Sequence, residues 1–298
     1  MRERIEKFLG SMYRHNKVPN AIVFYGKEGV GKKTIAFELA KALLCLKNTF
    51  PACESCASCL HMNNFKHMME TSPEDLEVFV EGQSGKEVFA YFQGDHPDFV
   101  YVLPEKTEIK IDQIRAVKEF AYLRPGLSKR KVVLIGKAHT MNPYSQNALL
   151  KVLEEPPLDT YFLLTCDSLD KLLPTVKSRS FLIEVPPFTD EEISQITGVK
   201  DPQLLRLADG SVSMLKEIMQ KKNLLQMAQD FLKKDPLEVY KVASQAEDLS
   251  VQDQEFLLKI LEAMAEDANA QDAIALAREN LGRGIRLDLF LTYLSFTF

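Results

Sequence analysis

Four of the five cysteines, Cys45, Cys53, Cys56 and Cys59, fall within fifteen residues. Four thiolates at this spacing, one from a helix end and three from a tight turn, suit a single ion held tetrahedrally in a closed site, and zinc is the ion such a set favours. A closed set leaves no coordination position for substrate, so the metal would be structural. Iron–sulfur ligation fits less well, because the bacterial ferredoxin pattern places its fourth cysteine after the Cys-x2-Cys-x2-Cys run and beside a proline. Here Cys45 precedes the run, and His61 is a nitrogen that could replace one thiolate. A thiol cluster in a chain of 298 residues reads as a metal pattern rather than a disulfide framework. The fifth cysteine, Cys166, ends an apolar run and reads as buried.

The second chemical motif lies just upstream. Gly26-Lys27-Glu28-Gly29-Val30-Gly31-Lys32 has the spacing of a phosphate loop, in which backbone N–H groups and a helix N-terminus surround phosphates while a lysine reaches the outer ones. Gly26, Gly29, Gly31, Lys32, Lys33 and Thr34 are the candidate residues for ATP or ADP. The position after Lys32 should carry a hydroxyl for magnesium, and it is Lys33, which cannot ligate the ion. Thr34 sits about 100° further round the helix. The next functional strand, Lys131 to Ile135, runs into Gly136-Lys137-Ala138-His139 where a carboxylate pair would hold magnesium and orient water. Phosphoryl transfer needs both metal and base. No hydrolysis is therefore expected from the isolated chain.

These motifs need a scaffold. Ala21 to Tyr25, Phe99 to Leu103, Lys131 to Ile135 and Tyr161 to Thr165 are short apolar runs separated by segments of helical periodicity, the pattern of a parallel sheet with crossover helices. Lys32 to Leu46 continues the phosphate loop as a helix. Leu76 to Val80 and Val88 to Phe92 flank Gly82-Gln83-Ser84-Gly85 and read as a hairpin decorating the surface. From Pro186-Pro187 onward strand signals vanish, and short helices follow with breaks near Gly198, Gly210, Asp235-Pro236 and Gly282 to Gly284. The expected class is α/β: a nucleotide-binding-like domain over 1–186 with a thiol module at 45–59 and an inserted hairpin at about 62–94. Helical domains follow at 187–221 and 222–298.

The bulk numbers narrow the class. A net charge of −5 gives no global footprint for nucleic acid. No apolar run approaches the ~20 residues of a membrane span, and the first residues lead into an amphipathic helix rather than a signal segment. A cytoplasmic location is expected.

Further segments complete the pattern: His96-Pro97-Asp98, Ile111-Asp112-Gln113-Ile114-Arg115, Asn147 to Pro157, and Leu172 to Ser180. Asp112 is placed to cap the helix carrying Arg115, and Ala148, Leu149, Val152 and Leu153 give an apolar face that stops at Pro156-Pro157. Together with the loop and the thiols, and over roughly residues 1 to 220, the chain resembles the δ′ family of bacterial DNA polymerase III clamp-loader subunits, which are AAA+ proteins. The resemblance implies an AAA+ sheet with a zinc knuckle, a small helical lid and a helical collar used in oligomerisation. It also implies partners: the γ or τ ATPase subunits and δ in a heteropentamer, with the β sliding clamp and primer-template DNA contacted through the complex. Ser178-Arg179-Ser180 resembles the family's Ser-Arg-Cys motif, whose arginine enters the ATP site of the neighbouring subunit, so Arg179 is the candidate catalytic residue in trans. A planar, permanently charged guanidinium suits the charge developing on a transferred phosphoryl group. Thr165 falls at the first sensor position, and around Ser213 the arginine of a second sensor is absent.

The resemblance thus implies a non-hydrolysing subunit of a DNA-directed DNA polymerase holoenzyme. Two other readings stay open at this level. One is an active γ- or τ-like motor whose metal ligands come from Thr34, Asp167 or Glu154. The other is a zinc-stabilised nucleotide kinase, which leaves the Ser-Arg-Ser and Glu-Glu-Pro-Pro segments unexplained.

Overall fold

The computed structural model describes residues 2–82, 85–265, 267–281 and 286–297. Gln83 and Ser84 of the expected hairpin tip and the Gly282 to Gly284 break lie outside the described residues. The chain divides into two compact units, one running to Pro187 and the other starting at Phe188.

The first unit opens with α1 (Arg2–Arg14), β1 (Ala21–Tyr25), α2 (Lys32–Leu44) and α3 (Ala57–Thr71). The hairpin strands β2 (Glu77–Glu81) and β3 (Glu87–Phe92) precede β4 (Phe99–Val102), α4 (Ile111–Tyr122) and β5 (Lys131–Ile135). Then come α5 (Pro143–Glu154), β6 (Thr160–Cys166), α6 (Pro174–Ser178) and β7 (Phe181–Glu184). The strands form one sheet in the order β2-β3-β4-β5-β6-β1-β7. The five strands from β4 to β7 pair in parallel, for example Phe24 with Thr165 and with Ile183.

Alternation along the strands builds two cores. Ile22 and Phe24, Phe99 and Tyr101, Val132 and Leu134, and Leu163 pack with α2 and α3 on one face. Their neighbours Val23, Val100, Val133, Phe162 and Leu164 pack with α4 and α5 on the other. Strands buried on both faces read as continuous apolar runs, which is why β1, β4, β5 and β6 are visible in the sequence as such runs.

Three readings change here. The hairpin is not a separate surface decoration: β3 pairs antiparallel with β4, so β2 and β3 extend the main sheet and form its edge. Strand β7 was not anticipated. It is an edge strand of four residues in which only Ile183 is buried, and its apolar run, Phe181 to Ile183, is three residues long and stops at Glu184. Asp112 does not cap α4. It is the second residue of the helix and pairs with Arg115 Nη1 at 2.9 Å, while the Gln113 side chain accepts the Lys110 N–H at the helix start.

The second unit contains α7 (Asp190–Thr197), α8 (Pro202–Ala208), α9 (Val212–Gln220), α10 (Lys222–Leu232), α11 (Pro236–Glu247), α12 (Val251–Met264), α13 (Ala268–Glu279) and α14 (Leu287–Thr297). Thr189, Asp201, Ser211, Asp235, Ser250 and Asp267 each cap the following helix with a side-chain oxygen, which fixes where these short helices start. Phe188, Ile193, Leu205, Ala208 and Leu215 form a small core. A larger one contains Phe231, Leu257, Leu261, Ile274 and Leu291. In α10, Phe231 is buried, and Leu225, Met227 and Leu232 pack partly buried against the same cluster.

Candidate functional site

The two chemical motifs occupy opposite ends of α2. At its start, Gly26, Gly29 and Gly31 take φ values of 146°, 78° and 80°, which L side chains rarely adopt. At Gly26 a Cβ would also fall 2.3 Å from the Val185 carbonyl oxygen, so the close approach of the residue just after β7 requires glycine there. The loop has the expected shape, but its lysine is already engaged. Lys32, 6% exposed, donates to the Gly26 carbonyl at 2.7 Å and to the Lys27 carbonyl, and pairs with Asp167 Oδ1 at 2.7 Å. Asp167 in turn faces His139 Nε2 at 3.5 Å, and its backbone N–H donates to His139 Nδ1. Burial, with Lys171, Lys137 and Lys32 nearby, holds the His139 pKa below its ordinary value despite the opposing pull of Asp167.

The positions where a motor would hold magnesium carry cations or lie outside. Lys33 and Thr34 are exposed. Lys137 takes a left-handed turn, pairs with Glu28 at 3.5 Å, and donates its backbone N–H to the Thr165 hydroxyl at 3.1 Å. Thr165 is therefore tied to the neighbouring loop. Of the three alternative metal ligands, Asp167 is spent on Lys32 and Glu154 on Arg179, which leaves Thr34 without a carboxylate partner for an ion.

At the other end of α2 the four thiols converge. The sulfurs of Cys45, Cys53, Cys56 and Cys59 all lie within 4.8 Å of one another, with Cys53 to Cys59 at 3.9 Å and Cys56 to Cys59 at 3.4 Å. A tetrahedral zinc–thiolate site has sulfur–sulfur edges of about 3.8 Å, given metal–sulfur bonds of about 2.3 Å. The donor set also fits electrostatically. The Cys53 thiol is pulled down to about 6, chiefly by the Ser55 backbone N–H, and Cys45 is lowered because N–H groups of Cys53, Thr49 and Lys47 outweigh its burial. Cys59 is raised by burial and by its sulfur neighbours, and a divalent cation would displace that proton. His61 is not part of the set: its Nδ1 lies 3.9 Å from Asp95.

Residues outside the thiols hold the knuckle in place, and only some lay in segments singled out from the sequence. The last carbonyls of α2 are taken by three distant segments: Tyr13 Oη donates to Ala42, Arg130 to Leu43, and Ser58 Oγ to Leu44. Ser58 also meets His96 Nε2 at 2.8 Å, and His96 Nδ1 accepts the Asp98 N–H. Asp98 is buried and receives backbone N–H groups from Gly126, Leu127 and Ser128, which outweigh its burial and keep its carboxyl below the usual range. The His-Pro-Asp segment thus joins the knuckle to the start of β4 and to the loop before β5. Lys41, 5% exposed, reaches Glu54 at 2.7 Å and Glu38 at 3.0 Å, pinning the turn between Cys53 and Cys56. Lys41 carried no sequence signal beyond its place on the helix.

Arg179 follows α6 directly. Its Nε donates to Glu154 Oε1 at 2.6 Å, Nη2 binds the same oxygen, and Nη1 donates to the Thr175 carbonyl at 3.1 Å. It stands at the helix-to-strand corner before β7. Around Ser213, the Gly210-Ser211 segment forms the α9 cap, with Ser211 Oγ accepting the Met214 N–H.

A sequence-family model described as DNA polymerase III, delta subunit, matches residues 1–81 and 80–189. The chain belongs to this family of bacterial clamp-loader subunits. Among family relatives, DNA polymerase III subunit delta′ of Bacillus subtilis is 30% identical over 210 residues, covering 70% of this chain and 55% of the relative. The delta′ subunit of Pseudomonas aeruginosa is 34% identical over 174 residues, 57% of this chain and 43% of that protein. The tau/gamma subunit of Haemophilus influenzae is 27% identical over 72% of this chain and 28% of its own length. The chain spans about half the length of the delta′ relatives it matches. A crystal structure of a DNA polymerase III gamma subunit-related protein from Thermotoga maritima covers 97% of both chains with a TM-score of 0.59 at 18% identity. That likeness concerns the fold, which is α/β of the AAA+ type. Among the described residues, no helix is long and apolar enough to cross a membrane.

Proposed function

We propose that this chain is a δ′-type subunit of the DNA polymerase III clamp loader, one that does not hydrolyse ATP and works through its interfaces. The observation that carries the reading is the state of Lys32, whose ammonium is saturated by Asp167 and by the carbonyls of its own loop. With Lys33 and Lys137 where a magnesium ligand and a base would stand, the loop keeps the shape of a nucleotide site and lacks its working groups. Binding of ATP or ADP is correspondingly disfavoured.

In this reading Arg179 is the finger supplied to a neighbouring γ- or τ-type ATPase subunit, and the assembly is a heteropentamer with δ. It acts in the cytoplasm to open the β clamp and set it on primer-template DNA. The four cysteines hold a structural zinc ion. The small core about Ile193 and Leu215 supports a lid over 187–221, and the larger core supports a collar over 222–298, with α8 and α9 contributing Leu207 and Ile218 to the latter.

A γ- or τ-like motor is the second reading, favoured by the relatives bearing those names. The test is clamp- and primed-DNA-stimulated ATP hydrolysis by the reconstituted assembly, unaltered and with Arg179→Ala, alongside turnover by the isolated chain. An inert isolated chain, with a large share of assembly turnover lost in the variant, supports the δ′ reading, since a finger contributes roughly 10³-fold or more at the site it serves. Turnover by the isolated chain favours the motor. Unchanged turnover in an intact Arg179→Ala assembly removes the finger.

A further inference from the structure

Arginine used in trans must be held in one geometry before its target arrives. A free arginine side chain samples many rotamers, and a misplaced reacting group costs rate steeply. In this chain the guanidinium is fixed from two sides. Its Nε and Nη2 grip a single oxygen of Glu154, and Nη1 donates to Thr175 and, at 3.4 Å, to Ser178 Oγ. Glu154 is the last residue of α5, whose other face is fixed in the core by Leu149, Val152 and Leu153, and Pro156-Pro157 follows after the single capping residue Glu155. The carboxylate therefore stands on a rigid element, while Arg179 sits at the short corner between α6 and β7.

The shape of the contact matters as much as its existence. A bidentate carboxylate would occupy two oxygens and two donors in a closed fork. Here one oxygen takes the side edge of the guanidinium, which leaves an Nη2 N–H and the delocalised charge for an incoming anion. Arg179 is 31% exposed and Glu154 47% exposed at their side chains, so both face solvent where a neighbouring chain could approach.

We infer that Glu154 is a positioning residue for Arg179: it orients the guanidinium through the side edge so that the remaining donors meet the neighbour's nucleotide. This rests on the reading of Arg179 as a finger in trans. The role is not metal ligation, for which the motor reading offers Glu154 as one of three candidates, and it gives the first carboxylate of the Glu-Glu-Pro-Pro segment a task.

The experiment uses the full assembly with its ATPase and δ partners, stimulated by clamp and primed DNA, and measures kcat and KM for ATP. Glu154→Ala is expected to cut the Arg179-dependent part of kcat by about tenfold while leaving KM nearly unchanged. Glu154→Gln, whose carbonyl oxygen still accepts from Nε, should keep most of the rate. Each variant chain is first checked for unaltered unfolding temperature and assembly, and if the alanine form fails to assemble, Glu154→Asp, whose shorter side chain withdraws the oxygen from Nε, carries the same comparison. In an Arg179→Ala background, Glu154→Ala should change nothing further. An equal fall in both backgrounds overturns the inference, because Glu154 would then act elsewhere. A rise in turnover overturns it too, since Glu154 would be a latch that restrains the finger. If Arg179→Ala alone leaves turnover intact, the finger reading fails and the inference falls with it, whereas a large Arg179 effect with no Glu154 effect removes only the inference.

Discussion

The two ends of α2 carry motifs of similar clarity in the sequence and opposite states in the folded chain. At the N-terminal end the glycines build a phosphate loop around a lysine whose charge is already matched by Asp167. At the C-terminal end four sulfurs converge within 4.8 Å, two of them lowered in pKa by backbone N–H donors. One end is internally neutralised, and the other is an electron-rich cage shaped for a cation. A motif specifies backbone shape through its glycines and its spacing. Whether that shape is ready for a ligand depends on the residues that face it from elsewhere, here Asp167 and His139 on one side and the Ser58–His96 pair on the other.

Breaking the cage should have the largest effect. Cys45→Ser is expected to abolish stoichiometric zinc and lower stability by several kcal/mol, because structural zinc contributes roughly 10 kcal/mol in small domains and part of that is retained here by the surrounding core. Metal analysis after gentle purification, with thermal unfolding in the presence and absence of chelator, checks this. A chain with no zinc and no response to chelator would erase the contrast between the two ends.

Acid should act next, through His96. Burial holds its pKa down to about 4, the strongest influence there, against the attraction of Asp98 and with His61 adding repulsion. The unfolded chain takes up a proton near pH 6.5 that the folded chain refuses until about pH 4. Stability is therefore full above pH 6.5 and falls as pH drops toward 4, by at most about 3 kcal/mol. Denaturant unfolding at pH 7.5 and 5, compared between the unaltered chain and His96→Gln, should show a smaller pH dependence in the variant. Equal slopes would remove His96 as the acid-sensitive joint.

The smallest effect sharpens the other end. Asp167→Ala frees Lys32 and should raise affinity for a fluorescent ATP analogue by about tenfold, an effect on the order of one charge-assisted hydrogen bond. Lys32→Ala in the same background should abolish the gain. No change on removing Asp167 would mean that the loop is closed by its own carbonyls alone.

Much of this was legible from residues alone. Strands β1, β4, β5 and β6 announce themselves because both faces are buried, and the thiol cage follows from spacing. Strand β7 was missed because its apolar run, Phe181 to Ile183, is only three residues long, as an edge strand with one buried side chain allows. The hairpin strands were found, but their pairing with β4 is a property of the sheet and not of their own sequence. Asp112 fits a capping pattern by type, and only the position of Lys110 at the start of α4 shows otherwise. Asp167 was one of several carboxylates that could have faced the loop. Its choice of Lys32 depends on β6 ending beside β1, a long-range register no local pattern encodes.

Helices usually loosen first at their ends, where four carbonyls have no partner within the helix. Helix α2 departs from that habit on one side, since Tyr13, Arg130 and Ser58 take the carbonyls of Ala42, Leu43 and Leu44. Its amides should exchange with solvent as slowly in the last turn as in the middle. Opening must therefore start from the glycine end, and the thiol end serves as the fulcrum about which any movement of the loop is measured.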